Sequence, residues 1–246
     1  MDDKLLDKLE FPKVIEKLAA HAATHIGKSL ALAARPSGDL EEVKHRLAGT
    51  DEAAAVERMK GSAPFGGIVD IRPSIQRVKI GGALNAAELL GIADTALGGR
   101  RVKRFIEAYR EKHEAPILGA LAEAIVELRQ LEESIRRCID ENGVVVDTAS
   151  DELYRIRREL RAGEARVREK LESIIRSSSA QKMLQETLIT MRGDRFVIPV
   201  KSEHRAAFGG IVHDQSSSGA TLFIEPEAVV ALNNKLRELR IAEERE

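Results

Sequence analysis

The stretch DELYRIRRELRAGEARVREKLESIIRS, residues 151–177, decides the fold class. It contains no proline, and Leu153, Ile156, Leu160, Val167, Leu171 and Ile174 recur at steps of three and four or their multiples. That period is helical. The other faces are Arg and Glu, often four apart as in Asp151/Arg155 and Glu164/Arg168, which supports an exposed helix by roughly 0.2–0.5 kcal/mol per pair. One narrow apolar stripe on an otherwise charged helix is a coiled-coil seam, and a seam needs a partner. The partner is read after Glu225-Pro226, where Val229, Leu232, Leu236 and Leu239 repeat the spacing in a second proline-free run.

Residues 188–224, between the two helices, carry strand chemistry. Phe196, Ile198 and Val200 alternate with Val197, Pro199 and Lys201, behind a hairpin-turn signal at Arg192-Gly193-Asp194-Arg195. Ile211-Val212 and Thr221-Leu222-Phe223-Ile224 are further short strands, separated by the polar turn Asp214 to Gly219. Helix, small β-element and returning helix predict an antiparallel arm of roughly 40 Å with a β-rich tip at about 181–226. The chain stops at Arg245-Glu246 inside a helical pattern, without a stop signal, so the natural protein is expected to continue.

Residues 1–149 read as a helical bundle. Phe11, Val14, Ile15, Leu18 and Ala22 start one helix, which Ala34-Arg35-Pro36 ends. Asp39 opens a second, which closes near Lys60-Gly61. Asp70 is read as the cap of a short helix reaching Ile80, and Asn85 as the cap of a longer one with a possible break at Gly98-Gly99. Helical runs around 117–128 and 131–139 precede a turn at 140–143 and a strand candidate at Val144-Val145-Val146. The fold class is therefore mainly α, with domains at 1–149 and 150–246.

Composition narrows the function. Of 246 residues, 32% are charged and 3% aromatic, with no Trp, a balance that points to long helices and away from a β-sandwich. The 39 Lys and Arg against 40 Asp and Glu leave no global basic surface for nucleic acid. Cys138 is the single cysteine, which precludes an internal disulfide and a cysteine zinc site within one chain and fits a reducing cytosol; burial as an inert thiol is expected of it. No apolar run reaches the ~18 residues of a membrane span, and the charged Met1-Asp2-Asp3-Lys4 start resembles no export signal.

Several combinations invite chemistry and are declined. Gly27-Lys28-Ser29 lacks the earlier glycine of a phosphate loop, since Ala22 stands there, and reads as mid-helix. His21 and His25, four apart on one helix, have neither an intervening Glu nor a third ligand, so no metal site is expected. His213, Asp214 and Ser216 to Ser218 include the residue types of a hydrolase triad, but near neighbours cannot place the base between nucleophile and carboxylate. No catalytic residue is expected. Binding is, because turn hydroxyls and backbone amides contact phosphates. Two sets of cations follow. Arg192, Arg195, Lys201 and Arg205, with His213, Ser216, Ser217 and Ser218, form the tip set, although residues 177–226 hold five cations and five carboxylates. Arg100, Arg101, Lys103 and Arg104 form a second patch, read as a solvated helix face or a phosphate contact.

The run Arg195 to Lys201 (RFVIPVK) and the run Gly210 to Pro226 (GIVHDQSSSGATLFIEP) closely resemble the MutS superfamily, in particular its second bacterial paralogue, MutS-two. Leu9-Glu10-Phe11, Gly61 to Gly67, Asp70-Ile71-Arg72-Pro73 and Arg137-Cys138-Ile139-Asp140 agree with that branch, in collinear order over nearly the whole chain. The resemblance implies a helical core or lever followed by long helices carrying a clamp. It implies no mismatch recognition, because the Phe105-Ile106-Glu107 and Phe223-Ile224-Glu225 strings do not stand in an N-terminal mismatch-reading domain. For the full-length protein it implies a cytoplasmic homodimer, joined through an ATPase that uses ATP and Mg2+, with a C-terminal Smr nuclease. It further implies suppression of recombination or recognition of stalled or collided ribosomes. The expected partners are duplex or branched DNA, or the ribosome and its rRNA. No cofactor or ATPase residue falls within 1–246. The rival expectation is a coiled-coil structural arm whose tip binds a protein, either the opposite protomer or a ribosomal protein.

Overall fold

The structure is a computed structural model that describes residues 3–246; Met1 and Asp2, part of the charged N-terminal reading, lie outside the described residues. It is mainly helical, with one small four-stranded antiparallel sheet. The chain divides into two units, Met1–Val146 and Asp147–Glu246. No described helix is long and apolar enough to cross a membrane.

The first unit contains helices α1 (Asp3–Lys8), α2 (Phe11–Ala20), α3 (His25–Ala33), α4 (Leu40–Lys60), α5 (Arg72–Lys79), α6 (Ala86–Arg110), α7 (Pro116–Glu123) and α8 (Arg129–Cys138). The cap residues mark the boundaries. Asp39 accepts the Glu41 and Glu42 amides, and Asn85 and Glu88 form a reciprocal capping box at the start of α6. One expected helix is two, because the Thr24 hydroxyl accepts the Gly27 amide at 3.0 Å and starts a new helix there. His21 therefore ends α2 and His25 begins α3, so the two are not neighbours on one helix face. Gly27-Lys28-Ser29 likewise sits in the first turn of α3 and not in mid-helix. Helix α6 runs unbroken through Gly98-Gly99. The Val144-Val145-Val146 strand is reduced to one bridge, Ile139 to Val145. Cys138 is partly buried against the small cluster of Ala93, Ile135 and Ile139.

Asp70 caps from one position farther out than expected: its Oδ1 accepts the Arg72 amide at 3.1 Å and Arg72 Nε at 2.7 Å. The Arg72 guanidinium holds its pKa down at about 2. The folded pKa lies below the ordinary carboxylate value, so the stabilisation is complete above about pH 4 and is lost as pH falls towards 2. Carbon-detected NMR titration should place the Asp70 midpoint near 2, and Arg72→Ala should return it towards 3.8.

The second unit is built on α9 (Asp151–Ile175) and α12 (Glu227–Arg245), with α10 (Ser178–Met183), β1 (Thr190–Arg192), β2 (Arg195–Lys201), α11 (Arg205–Phe208), β3 (Ile211–Gln215) and β4 (Thr221–Glu225) between them. Helices α9 and α12 pack antiparallel, as the Arg157–Glu243 and Glu164–Arg240 ion pairs at 2.8 and 3.0 Å show. Gly163, the one gap in the seam, admits Leu236: a Cβ there would stand 2.7 Å from Leu236 Cδ2. The expected stripe is buried on α9, with Ile175 in place of the half-buried Ile174 at its end. On α12, Leu232 is only partly buried, and Asn233 is fully buried beside it.

The sheet has the order β1-β2-β4-β3, all antiparallel. Gly193 and Asp194 both have positive φ, 53° and 62°, as a two-residue type I′ hairpin requires. The sheet is not confined to the end of the helix pair. Asn233 bonds the Phe196 backbone, Arg240 Nη1 donates to the Asp194 carbonyl at 2.9 Å, and Arg168 lies over the Phe196 ring. A four-stranded sheet must bury one face, and this one does so along the flank of the helices. Phe196, Ile198, Val200, Leu222 and Ile224 join the seam residues in one core.

Candidate functional site

Strand alternation puts Phe196, Ile198 and Val200 towards the helices and sends Arg195, Val197, Pro199 and Lys201 to the opposite, outer face, where Val197 and Pro199 are themselves buried and the two end residues are partly open. The register adds Arg192 opposite Arg195, Phe223 opposite Pro199, and Asp214 opposite Phe223. The strand-borne cations Arg192, Arg195 and Lys201 therefore share one face of the sheet. Bulk composition carries no sign of this asymmetry.

The cations on that face do different things. Arg195 Nη1 donates to Glu225 Oε1 at 3.1 Å, with the arginine side chain 14% exposed and the glutamate 0%. Glu225 is the centre of a buried network. His213 Nε2 lies 2.5 Å from Oε2, and Asn233 Nδ2 donates to Oε1 at 2.8 Å. Asn233 also takes the Phe196 amide and donates to the Phe196 carbonyl, at 3.3 and 3.1 Å. His213 reaches Glu225 because it is the extra residue of a bulge, where the register slips between Val212 and Asp214. Arg195 and His213 thus have a structural task.

Arg192 lies over Phe223, its guanidinium carbon 3.9 Å from the ring centroid, and its Nε donates to Asp214 Oδ2 at 2.9 Å. Lys201 and Arg205 form no ion pair with any described carboxylate. Lys201 Nζ donates to the Lys182 carbonyl at 3.4 Å, which brings Lys182 to the same end of β2, and Lys182 likewise pairs with no described carboxylate. Glu203, the acidic residue between Lys201 and Arg205, lies 3.4 Å from the His204 ring. The turn 216–219 joins β3 to β4. Its Ser216 hydroxyl accepts the Thr221 amide at 3.1 Å and meets that of Ser218 at 3.3 Å, while Ser217 is exposed with its hydroxyl uncommitted among the described residues.

The second basic set is mostly committed inside the first unit. Arg100 donates to Oε1 and Oε2 of the buried Glu132 at 3.3 and 2.7 Å, and Lys103 Nζ caps the Ile125 carbonyl at 2.9 Å. Arg104 is 3.9 Å from Glu127, which leaves only Arg101 of the four exposed without a described side-chain partner. Arg100 and Lys103 thus tie α6 to the segment after it, while Arg101 and Arg104 keep the character of a solvated face. Among the described residues no group of three His, Cys, Asp or Glu side chains could hold a metal ion.

Glu225, Asn233, Phe223 and Lys182 are absent from the sequence-derived set. A signal existed for two of them. Asn233 interrupts the second helix one residue past Leu232, where a polar side chain in a seam demands a partner. Glu225 ends an apolar strand directly before Pro226, where a carboxylate must be solvated or paired.

No family model matches the chain. Three curated relatives, each named "Endonuclease MutS2", show what it is similar to. That of Brevibacillus brevis is 53% identical over 246 residues, 100% of this chain and 31% of that protein. That of Geobacillus sp. is 53% identical over 247 residues, 100% and 32% of the two chains. That of Halalkalibacterium halodurans is 50% identical over 246 residues, 99% and 31%. The chain thus spans about a third of the length of the curated relatives it matches.

Proposed function

The chain belongs to the MutS2 family, and from that premise we propose that it is the nucleic-acid-engaging lever and clamp portion of a longer protein. The first unit is the lever or core, the α9/α12 pair a coiled-coil arm, and the sheet its clamp. The observation that carries this reading is the group Lys182, Lys201 and Arg205, gathered at one end of β2 without carboxylate partners, while Arg192 and Arg195 neutralise Asp214 and Glu225. A net-neutral segment thereby presents local positive charge, with the exposed Ser217 as a neutral donor in the turn that precedes Thr221, the residue paired with Lys201. Such a surface suits the phosphate backbone of duplex or branched DNA, or of rRNA in a ribosome.

In the whole protein, an ATPase that takes ATP and Mg2+ and pairs two protomers lies outside residues 1–246, as does endonuclease chemistry of the kind the relatives are named for. The cytoplasmic protein acts on recombination intermediates or on stalled or collided ribosomes, without reading mismatches, and this portion binds and positions without hydrolysing.

The test is the double variant Lys201→Glu/Arg205→Glu; Arg195 is left intact because the core needs it. Affinity for labelled branched DNA, or for ribosomes, should fall at least about tenfold, and the slope of log affinity against log salt should shrink by about one per lost phosphate contact. Unchanged affinity and slope overturn the surface.

A second reading is favoured by the internal neutralisation of Arg192 and Arg195: the sheet is a protein-docking tip on a structural arm. Failure of the chain to bind DNA or rRNA at low salt decides for that reading.

A further inference from the structure

We propose that Arg192 is a base-stacking residue, so that the outer face of the sheet takes unpaired nucleotides; this rests on the nucleic-acid reading above and names the form of ligand it prefers. Arg192 belongs to β1 at one edge of the sheet, yet its contacts are Phe223 on β4 and Asp214 on the opposite edge strand, β3. Its side chain therefore crosses β2, where Val197, on the same face, is fully buried. Four contacts fix the guanidinium. Phe223 lies at 3.9 Å, Asp214 accepts from Nε at 2.9 Å, and Nη1 donates to the Met191 carbonyl at 2.8 Å and to Thr190 Oγ1 at 3.2 Å.

The hydrogen bonds use edges of the group and the ring covers one plane. The side chain still keeps 36% exposure, and on this proposal the plane turned away from Phe223 is the part a base would cover. A flat cation pinned this way has lost its side-chain freedom before any ligand arrives, so stacking on it costs little further order. The groups that stack on a guanidinium plane are aromatic, and in a nucleic acid those are bases freed from their own neighbours. A duplex keeps its bases stacked on each other and offers this face only phosphates. Lys201, six residues along β2 from Arg195, stands on the same face to meet the phosphates of the strand that supplies the base. Asp214 does not repel that strand, because Arg192 neutralises it.

The 246-residue chain is mixed at low salt with a short oligo-dA containing 2-aminopurine, and separately with a short blunt duplex. In free oligo-dA the 2-aminopurine is already quenched by its adenine neighbours. A base lifted off them onto Arg192 therefore predicts brighter emission in the wild-type single-strand complex than in the free oligonucleotide. Arg192→Lys keeps the charge and removes the plane. It should weaken single-strand binding about tenfold and duplex binding less than about twofold. Emission no brighter in the bound state than in the free oligonucleotide, or equal single-strand affinity for Arg192→Lys and wild type, overturns the proposal. If Lys201→Glu/Arg205→Glu weakens both ligands while Arg192→Lys weakens neither, stacking alone fails and the phosphate surface stands. If the wild type binds neither ligand, the nucleic-acid reading falls and this inference with it. Should Arg192→Lys lose its native circular dichroism, the emission of the wild-type complex against that of the free oligonucleotide decides by itself.

Discussion

Replacing Glu225 with alanine should destabilise the second unit by about 3–5 kcal/mol, the loss found when one partner of a buried ion pair is removed. The glutamate is 0% exposed and takes donors from three elements: Arg195 on β2, His213 on β3 and Asn233 on α12. Without it, the Arg195 guanidinium, 14% exposed, is left without an anion, and an uncompensated charge in that setting is the costly outcome. The paired change Arg195→Met/Glu225→Met removes both charges and fills similar volume, so it should cost far less than the two single changes summed. The chain has two units, so a single unfolding transition would blur the result. Native-state hydrogen exchange at the Phe196 amide, which donates to Asn233 Oδ1, reads the relevant unit directly. Protection of that amide reduced by less than about 1 kcal/mol in Glu225→Ala would show that the network does not hold the sheet to α12.

That network also marks the limit of what the sequence discloses. The helices, their caps at Asp39 and Asn85, the alternation along β2 and the turn at Gly193-Asp194 were legible because each is a local event. Period, cap chemistry and positive φ act within a few residues. The commitments of the charged side chains were not legible. Arg195 finds Glu225 across 30 residues, and Arg100 finds Glu132 across 32. An arginine in a strand or helix looks the same in sequence whether it faces water, phosphate or a distant carboxylate. The candidate surface accordingly lost Arg195 and His213 as free contacts, gained Lys182, and retained Lys201 and Arg205. The split at Thr24 was missed for a related reason: the alanine-rich run 19–34 favours helix throughout, and one hydroxyl bond to Gly27 outweighs that weak preference.

The seam itself was legible; what it packs against was not, and Leu171 tests the difference. Leu171 and Leu153 are both buried stripe residues of α9, at 0% and 5% exposure. In a plain two-helix coiled coil each would be walled only by the partner helix, and truncating either to alanine would leave a gap that the helices could partly close. Leu171 belongs to the core that joins the helix pair to β2 and β4, whereas Leu153 lies outside that cluster. A cavity at Leu171 is walled by elements that hold one another in place, so it cannot close, and its cost should sit near the top of the large-to-small range, about 4–5 kcal/mol. At Leu153, close in sequence to the start of α9, the helices can move together, and about 2–3 kcal/mol is expected. Exchange protection of the β2 amides separates the cases. Leu171→Ala should lower it in step with the loss of stability, and Leu153→Ala should lower it less. Equal costs would mean that the helix pair is the stable object and the sheet an attachment to it. Unequal costs, with the β2 amides losing protection in step with Leu171→Ala, would mean that the sheet and the second half of α9 unfold as one piece, so that a load on the sheet is carried into α12 through the core they share.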